Sequence, residues 1–270
     1  MSTLAQRTID AIRQEHDSLA SVASGLTEDQ LNGPSGASEW SIAEVLSHLG
    51  SGSEINSATL RAALGEGDAP DDAFNQAVWD RWNAMAPAEQ QAGALEQVRA
   101  HTELWESLTP EQHASVEVPV GYLPAPLTLA ALAGLRLSEM AHHGWDVRVG
   151  LDATAGLLDV SAAVLPEHYS GDIGFLLGFI GKADQVPGPV ALSIPSTGHQ
   201  LLIDDSVRLV AATGKATGEA TGETTATFAG PAEAALRLIT GRLRPEHTPA
   251  EVIVSGNVTL DELRSVFPGF

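Results

Sequence analysis

The chain has 270 residues and carries 14 basic against 35 acidic side chains, a formal charge of −21. Such a surface repels nucleic acid and anionic lipid, which argues against both as partners. There is no cysteine, so disulfides, thiolate metal ligands and a cysteine nucleophile are excluded, and a metal site must be built from His, Asp and Glu.

The N-terminal stretch MSTLAQRTIDAIRQEHD lacks a basic region followed by an apolar core, so no signal peptide is expected and the cytoplasm is the default location. No run approaches the ~18 apolar residues of a membrane span. Leu4, Ile9, Ile12, Leu19 and Val22 form a helical stripe. Thr27 with Gln30, and Ser41 with Glu44, are capping boxes. The second opens a helix over SIAEVLSHLGSGSEINSATLRAALG, directly after Trp40. Residues 71–108 predict one or two helices, with Pro87 as a break or first-turn residue. TPEQHASVEVPVGYLPAP reads as a long connection. LTLAALAGLRLSEMAHHGWDVRVG is a further helix, with Gly150 as its stop. Four helices so connected predict a bundle over residues 1–154.

The texture changes over residues 155–270. A short helical region spans about 161–178. PVALSIP, HQLLIDD, SVRLVAAT, TTATFAG and EVIVSG are strand-like, rich in Val, Leu, Ile and Thr and punctuated by Gly, Pro and Asp. PAEAALRLITGR and TLDELRSVF read as helices, the first with Pro231 at its start. The expectation is a smaller α+β domain with an antiparallel sheet. The repetitive ATGKATGEATGETTAT predicts a flexible hairpin. Two lysines in the whole chain (Lys182 and Lys215), with heavy use of Arg, Ala and Gly, match a GC-rich genome.

SEMAHHGWDV concentrates polar groups in an otherwise aliphatic helix. Glu139 and His143 are four apart and share a face. Leu132 and Leu135 lie on the same stripe, so the pair is expected to project toward the core. A buried carboxylate is costly unless paired or bound to metal, and two side chains at this spacing can grip one cation. A third ligand should come from another helix. His48, on the flank of the face set by Ile42, Val45, Leu46 and Leu49, is the best candidate, and His16, on the stripe of Ile9, Ile12 and Leu19, is its rival. Two imidazoles and one carboxylate make the ligand set of open, catalytic zinc sites; iron, nickel and manganese stay open, because geometry decides among them. His142 lies three residues from Glu139 but farther round the helix. The competing reading is structural: a core histidine at 143, Glu139 paired with Arg136 or Arg148, and Trp40 and Trp145 as packing residues. Asp146 is either a carboxylate that orients a histidine or an exposed helix-end residue.

EWSIAEVLSHLGSG and LSEMAHHGWDVRVG resemble the tryptophan, helix start and ligand histidine, and the Glu-x-x-x-His-Gly-Trp-Asp signature, of the mycothiol-dependent maleylpyruvate isomerase family, itself related to DinB-like four-helix bundles. GPAEAALRLITGR and VIVSGNVTLDELRSVFPGF resemble the companion domain of these proteins, which is sterol-carrier-like. The resemblance covers nearly the whole chain. It implies a divalent metal, usually zinc, held by His48, Glu139 and His143, and favours His143 over His142 because Gly-Trp-Asp follows it. It also implies a basic residue of the second domain acting on substrate; Arg242 is the candidate, with Arg237 and Arg244 as rivals. Many relatives carry an Arg-Asn pair after the ligand histidine, whereas this chain reads HLGSGSEI.

The absence of cysteine fits an enzyme whose thiol is external, here mycothiol. An open metal position lowers the pKa of a bound thiol. The thiolate then adds to an activated double bond of a small unsaturated acid, the new single bond rotates, and the thiol leaves. Arg242 would hold a substrate carboxylate bidentately. A mycothiol S-transferase acting on electrophiles would use the same site, favoured by an apolar cleft. A non-catalytic protein binding a metal or an apolar ligand is the third reading, favoured by a closed four-ligand metal or by none.

Overall fold

The computed structural model describes residues 2–120, 123, 125–212 and 223–269. Two compact units divide the chain, Met1–Ala155 and Gly156–Phe270.

The first unit is helical. Its long helices are α1 (Leu4–Ala23), α3 (Ile42–Ala63), α5 (Pro87–Ser107) and α7 (Leu129–Val149), with α2 (Glu28–Leu31) and α4 (Asp72–Asn83) between them. Each start has a local cause. Thr3 caps α1, Ser41 and Glu44 close a capping box on α3, Pro87 occupies the first turn of α5, and Thr128 caps α7. Residues 71–108 therefore form two helices, and Pro87 starts the second. Packing is cyclic: α1 lies against α7 and α5, and α3 against α5 and α7. Each long helix thus has two long neighbours, the arrangement of a four-helix bundle. Trp82, Trp105 and Trp145 are fully buried in this unit, with Leu19, Ile42, Leu46 and Leu49.

The segment expected as a long connection contains regular structure among its described residues. Thr109 and Gln112 form another capping box on α6 (Pro110–Ser115), and β1 (Glu117–Val118) pairs antiparallel with β2 (Leu127–Thr128). α6 buries none of its residues, so only its cap residues announced it. Gly150 ends α7 without a left-handed turn (φ −63°). It is required instead by a close approach: a Cβ there would lie 2.4 Å from the Pro34 carbonyl oxygen.

The second unit holds α8 (Asp159–Tyr169), α9 (Phe175–Ile180), β3 (Val190–Ile194), β4 (His199–Ile203), β5 (Val207–Ala211), β6 (Ala226–Ala229), α10 (Ala232–Ile239), β7 (Ile253–Gly256) and α11 (Leu260–Val266). The sheet order is β5-β4-β3-β6-β7. Three of the four pairings are antiparallel, as expected, but β3 and β6 run parallel. With β3–β4–β5 as a meander, the chain must cross from one edge to the far side of β3, and it arrives there in the same direction. The fold is thus mixed, helix-rich α plus β. Most of the repetitive ATGKATGEATGETTAT segment lies outside the described residues.

Candidate metal centre

The site starts from a loop. Residues 33–41 fold back on themselves: Pro34 bridges Ser41, Ile42 N–H donates to Gly33 O (3.0 Å), and the Ser35 hydroxyl donates to Trp40 O (2.8 Å). The loop then seats on the last turns of α7 through the Gly36 N–H, which donates to Asp146 O (2.8 Å). A Cβ on Gly36 would meet Val149 Cγ1 at 2.7 Å and Asp146 Oδ1 and the Trp145 ring at 2.8 Å, so only glycine permits this docking. Glu39 adopts a positive φ of 67°, which costs a non-glycine residue about 1–3 kcal/mol. The strained residue immediately precedes Trp40.

His48 comes from the second turn of α3, and Glu139 and His143 from successive turns of α7. His48 Nε2 lies 3.0 Å from Glu139 Oε2, and His143 Nε2 lies 3.6 Å from the same oxygen. One ligand atom from each of the three residues falls within 4.8 Å of the other two. Ligand atoms bound tetrahedrally at ~2.0–2.1 Å lie about 3.3 Å apart, so the two observed separations bracket what one zinc-sized ion requires. The donor set fits a divalent cation.

Asp146 is fully buried, and its Oδ2 lies 2.9 Å from His143 Nδ1. A carboxylate accepts only, so Nδ1 carries a proton, and the neutral ring would present the Nε2 lone pair beside Glu139. The histidines in turn govern Glu139. Its side chain keeps 49% of its area exposed, yet neighbours crowd the carboxyl and that burial pushes its pKa upward. The hydrogen bond from His48 and the charges of His143, His48 and Arg136 outweigh it and hold the carboxyl well below the usual carboxylate range. Glu139 was expected to face the core. It lies at the open rim of the bundle, because neighbouring helices, not the stripe of α7 alone, decide which positions are covered.

Trp40, expected as a packing residue, is 39% exposed. Its ring lies nearly parallel to that of His143, with centroids 6.1 Å apart, and 5.3 Å from that of His48. It forms an aromatic wall beside the three converging side chains. Its sequence signals were its place just before the cap of α3 and the resemblance of EWSIAEVLSHLGSG to the family's tryptophan-containing helix start. Trp145 does pack: it is buried and its Nε1 donates to Ala155 O (2.7 Å).

The rival residues lie elsewhere. His142 is buried, with Nδ1 2.8 Å from Ser138 O. His16 is buried beside Asp17, its Nδ1 2.8 Å from Asp17 Oδ1. Arg148 pairs with buried Glu15 at 3.3 Å rather than with Glu139. In the second unit, Arg237 is buried in a bidentate pair with Glu233 (2.7 and 2.8 Å) and donates to His247 O. That clamp makes it a structural residue. Arg242 follows α10 and donates through Nη1 to Thr240 O at 3.2 Å. Arg244 borders a small recess with Leu238, Leu243, Arg264 and Phe267.

A profile of the mycothiol maleylpyruvate isomerase N-terminal domain matches residues 12–148, which contain all three converging side chains, Trp40 and Asp146. The chain belongs to the mycothiol-dependent maleylpyruvate isomerase family. A crystal structure of mycothiol-dependent maleylpyruvate isomerase superimposes with a TM-score of 0.63 at 15% identity, over 96% of this chain and 98% of that one. A structure of its histidine-to-alanine mutant gives 0.60 at 14% identity over the same shares. At these identities the likeness establishes a common fold across both units. No curated protein sequence matches the chain. Among the described residues, no helix is long and apolar enough to cross a membrane.

Proposed function

We propose that the protein is a metal- and mycothiol-dependent isomerase of small unsaturated acids, with His48, Glu139 and His143 as ligands of one divalent ion, zinc by preference. The observation that supports this most is the convergence of two imidazole nitrogens and one carboxylate, from two helices, in a member of this family that contains no cysteine. A divalent ion in such a site lowers the pKa of a bound thiol and so favours its thiolate, the nucleophile for reversible addition to an activated double bond.

The chain's own residues do the rest. His48 and His143 bind through Nε2, and Glu139 offers an oxygen held ionised by its neighbours. Asp146 fixes the tautomer and angle of His143. Trp40 covers one side, limits water there and offers a flat apolar face to a conjugated substrate. Arg242 is the candidate for holding a substrate carboxylate, and the clamp on Arg237 favours it over that rival.

The test is conversion of maleylpyruvate by the metal-loaded protein with and without mycothiol. Thiol-dependent cis–trans conversion, lost in the His48→Ala variant, supports the reading. A stable thioether product in place of an isomer would make the protein an S-transferase, which uses the same site. Neither product would leave a metal-binding protein without this chemistry. Arg242→Ala should raise KM for maleylpyruvate without changing metal content; an unchanged KM removes Arg242 from the site.

A further inference from the structure

Two glycines interrupt the middle of α3, and only one has a packing reason. A Cβ on Gly50 would lie 2.2 Å from the Trp82 ring, so the close approach of α4 requires glycine there. A Cβ on Gly52 would meet no described atom within 4 Å, although the residue lies well inside the helix and is partly exposed. Glycine in a helix interior loses stability relative to alanine, so the fold gains nothing from this one. Its position ties it to the metal centre. Gly52 lies four residues after His48, and Asn56 four further on, so the three follow one ridge of α3, about 6 Å apart along the axis. Asn is also a poor helix former. Asn56 is partly exposed, and its side chain makes no hydrogen bond among the described residues. Toward the start of α3 the Trp40 ring stands 5.3 Å from that of His48 and closes that direction. Toward the end of α3 the missing side chain leaves the way open. Across from it, Ser53 accepts a hydrogen bond from Arg136 of α7. The two helices therefore run antiparallel here, and the turn of α7 level with Gly52 carries Leu135, itself only partly buried.

We propose that the ridge His48–Gly52–Asn56 seats the body of the external thiol. With the sulfur at the metal ligands, the organic part lies over the bare backbone at Gly52, and its polar end hydrogen-bonds to the Asn56 amide. The proposal rests on the metal- and thiol-dependent reading of this site and deepens it by giving the thiol a path. A ligand held by its sulfur must leave the cluster in some direction, and any side chain at position 52 would project into the open one. An amide offers two donors and an acceptor but no charge, which suits a body bearing hydroxyl and amide groups better than a hydrocarbon or an ionised one. The Trp40 side is then left to the unsaturated acid, so thiol and substrate approach the cluster from opposite ends of the same helix face.

The experiment is thiol binding to the cobalt-loaded full chain, read by sulfur-to-cobalt charge-transfer absorption, with mycothiol and with 2-mercaptoethanol as a thiol too short to reach Gly52. Wild type, Gly52→Leu and Asn56→Ala are compared, with metal analysis and thermal unfolding of each. Gly52→Leu should keep its metal, unfold no earlier than wild type and bind 2-mercaptoethanol as wild type does, yet lose roughly tenfold or more in mycothiol affinity. Asn56→Ala should weaken mycothiol about three- to tenfold; unchanged affinity removes Asn56 from the seat. A purely structural glycine would not raise stability and lower affinity for the larger thiol alone. Equal mycothiol affinity in wild type and metal-bearing Gly52→Leu, or equal loss of both thiols, would overturn the seat and leave the metal reading standing. Should Gly52→Leu fail to fold, Gly52→Ala decides, since its methyl meets no described atom; undiminished mycothiol affinity in it counts against the seat. A wild-type chain that takes up no metal removes the reading and the seat together, and the metal analysis separates that outcome from failure of the seat alone.

Discussion

Asp146 acts on the site only through His143, and that makes its contribution separable. Asp146→Asn keeps the shape but replaces a carboxylate acceptor by an amide. Zinc affinity should fall ~10–100-fold, measured by competition with a chromogenic chelator, while the thermal transition in chelator stays near that of wild type. Unchanged affinity would mean that His143 is held by its backbone alone. Trp40 is separable in another way. Its ring is partly exposed and stacks on the His143 imidazole, so Trp40→Ala should leave metal content intact and lower the thiol-dependent rate. A variant that loses metal instead would identify the indole as a support of the ligands. These two residues also differ in how well the sequence revealed them. Asp146 sits three residues after His143 on one helix, so its role is a local spacing and was readable as one of two alternatives. Trp40 reaches His143 only because a loop strained at Glu39 returns across α7, and no local pattern encodes that return.

At the scale of elements, the loop of residues 33–41 and α7 behave as one part. Gly36→Ala would drive a methyl into Val149, Trp145 and Asp146, and overpacking of this kind costs about 1–3 kcal/mol. Chemical denaturation should show that loss together with weaker zinc binding, because the displaced loop carries Trp40 and abuts Asp146. Full stability would mean that the loop docks elsewhere. A second buried polar group links α5 to α3. Trp105 Nε1 donates to His101 Nε2 (3.0 Å), so His101 Nδ1 carries the proton and donates to the Ser57 hydroxyl (2.8 Å). Burial, helped by Arg136, holds this imidazole's pKa well below its ordinary 6.5. The unfolded chain therefore binds the proton first. Stability contributed by neutral His101 is complete above pH ~6.5 and is lost as pH falls toward the folded value, at up to ~1.4 kcal/mol per pH unit. His101→Gln should be less stable at pH 7.5 but show a shallower decline between pH 6.5 and 5.5. A parallel decline would remove His101 as the source. The helices themselves were legible because caps and apolar stripes are local. α6 and the β1–β2 ladder were not, since two-residue strands and a helix that buries nothing leave almost no pattern. The parallel β3–β6 pairing was hidden because register between distant strands is settled by tertiary packing.

For the whole molecule, the absence of cysteine and the spread of acidic residues set the terms, and the family match supplies the context in which a His-Glu-His cluster becomes meaningful. Spacing on α7 put Glu139 and His143 together, but the choice of His48 over His16 depends on how α1 and α3 pack against α7, which a single sequence does not encode. Arg136 was visible only as an ion-pair partner for Glu139; in the assembled bundle it donates to Ser53 instead. If the cluster binds zinc, folding and binding are linked, and zinc at a hundred times its Kd should stabilise the chain by ~2.7 kcal/mol. The most direct measurement is metal stoichiometry on tag-free protein, with His143→Ala and His142→Ala beside it. About one metal per chain in wild type and His142→Ala, and none in a folded His143→Ala, is the predicted result. Metal retained in His143→Ala, or no zinc taken up by wild type, would contradict the assignment of this centre.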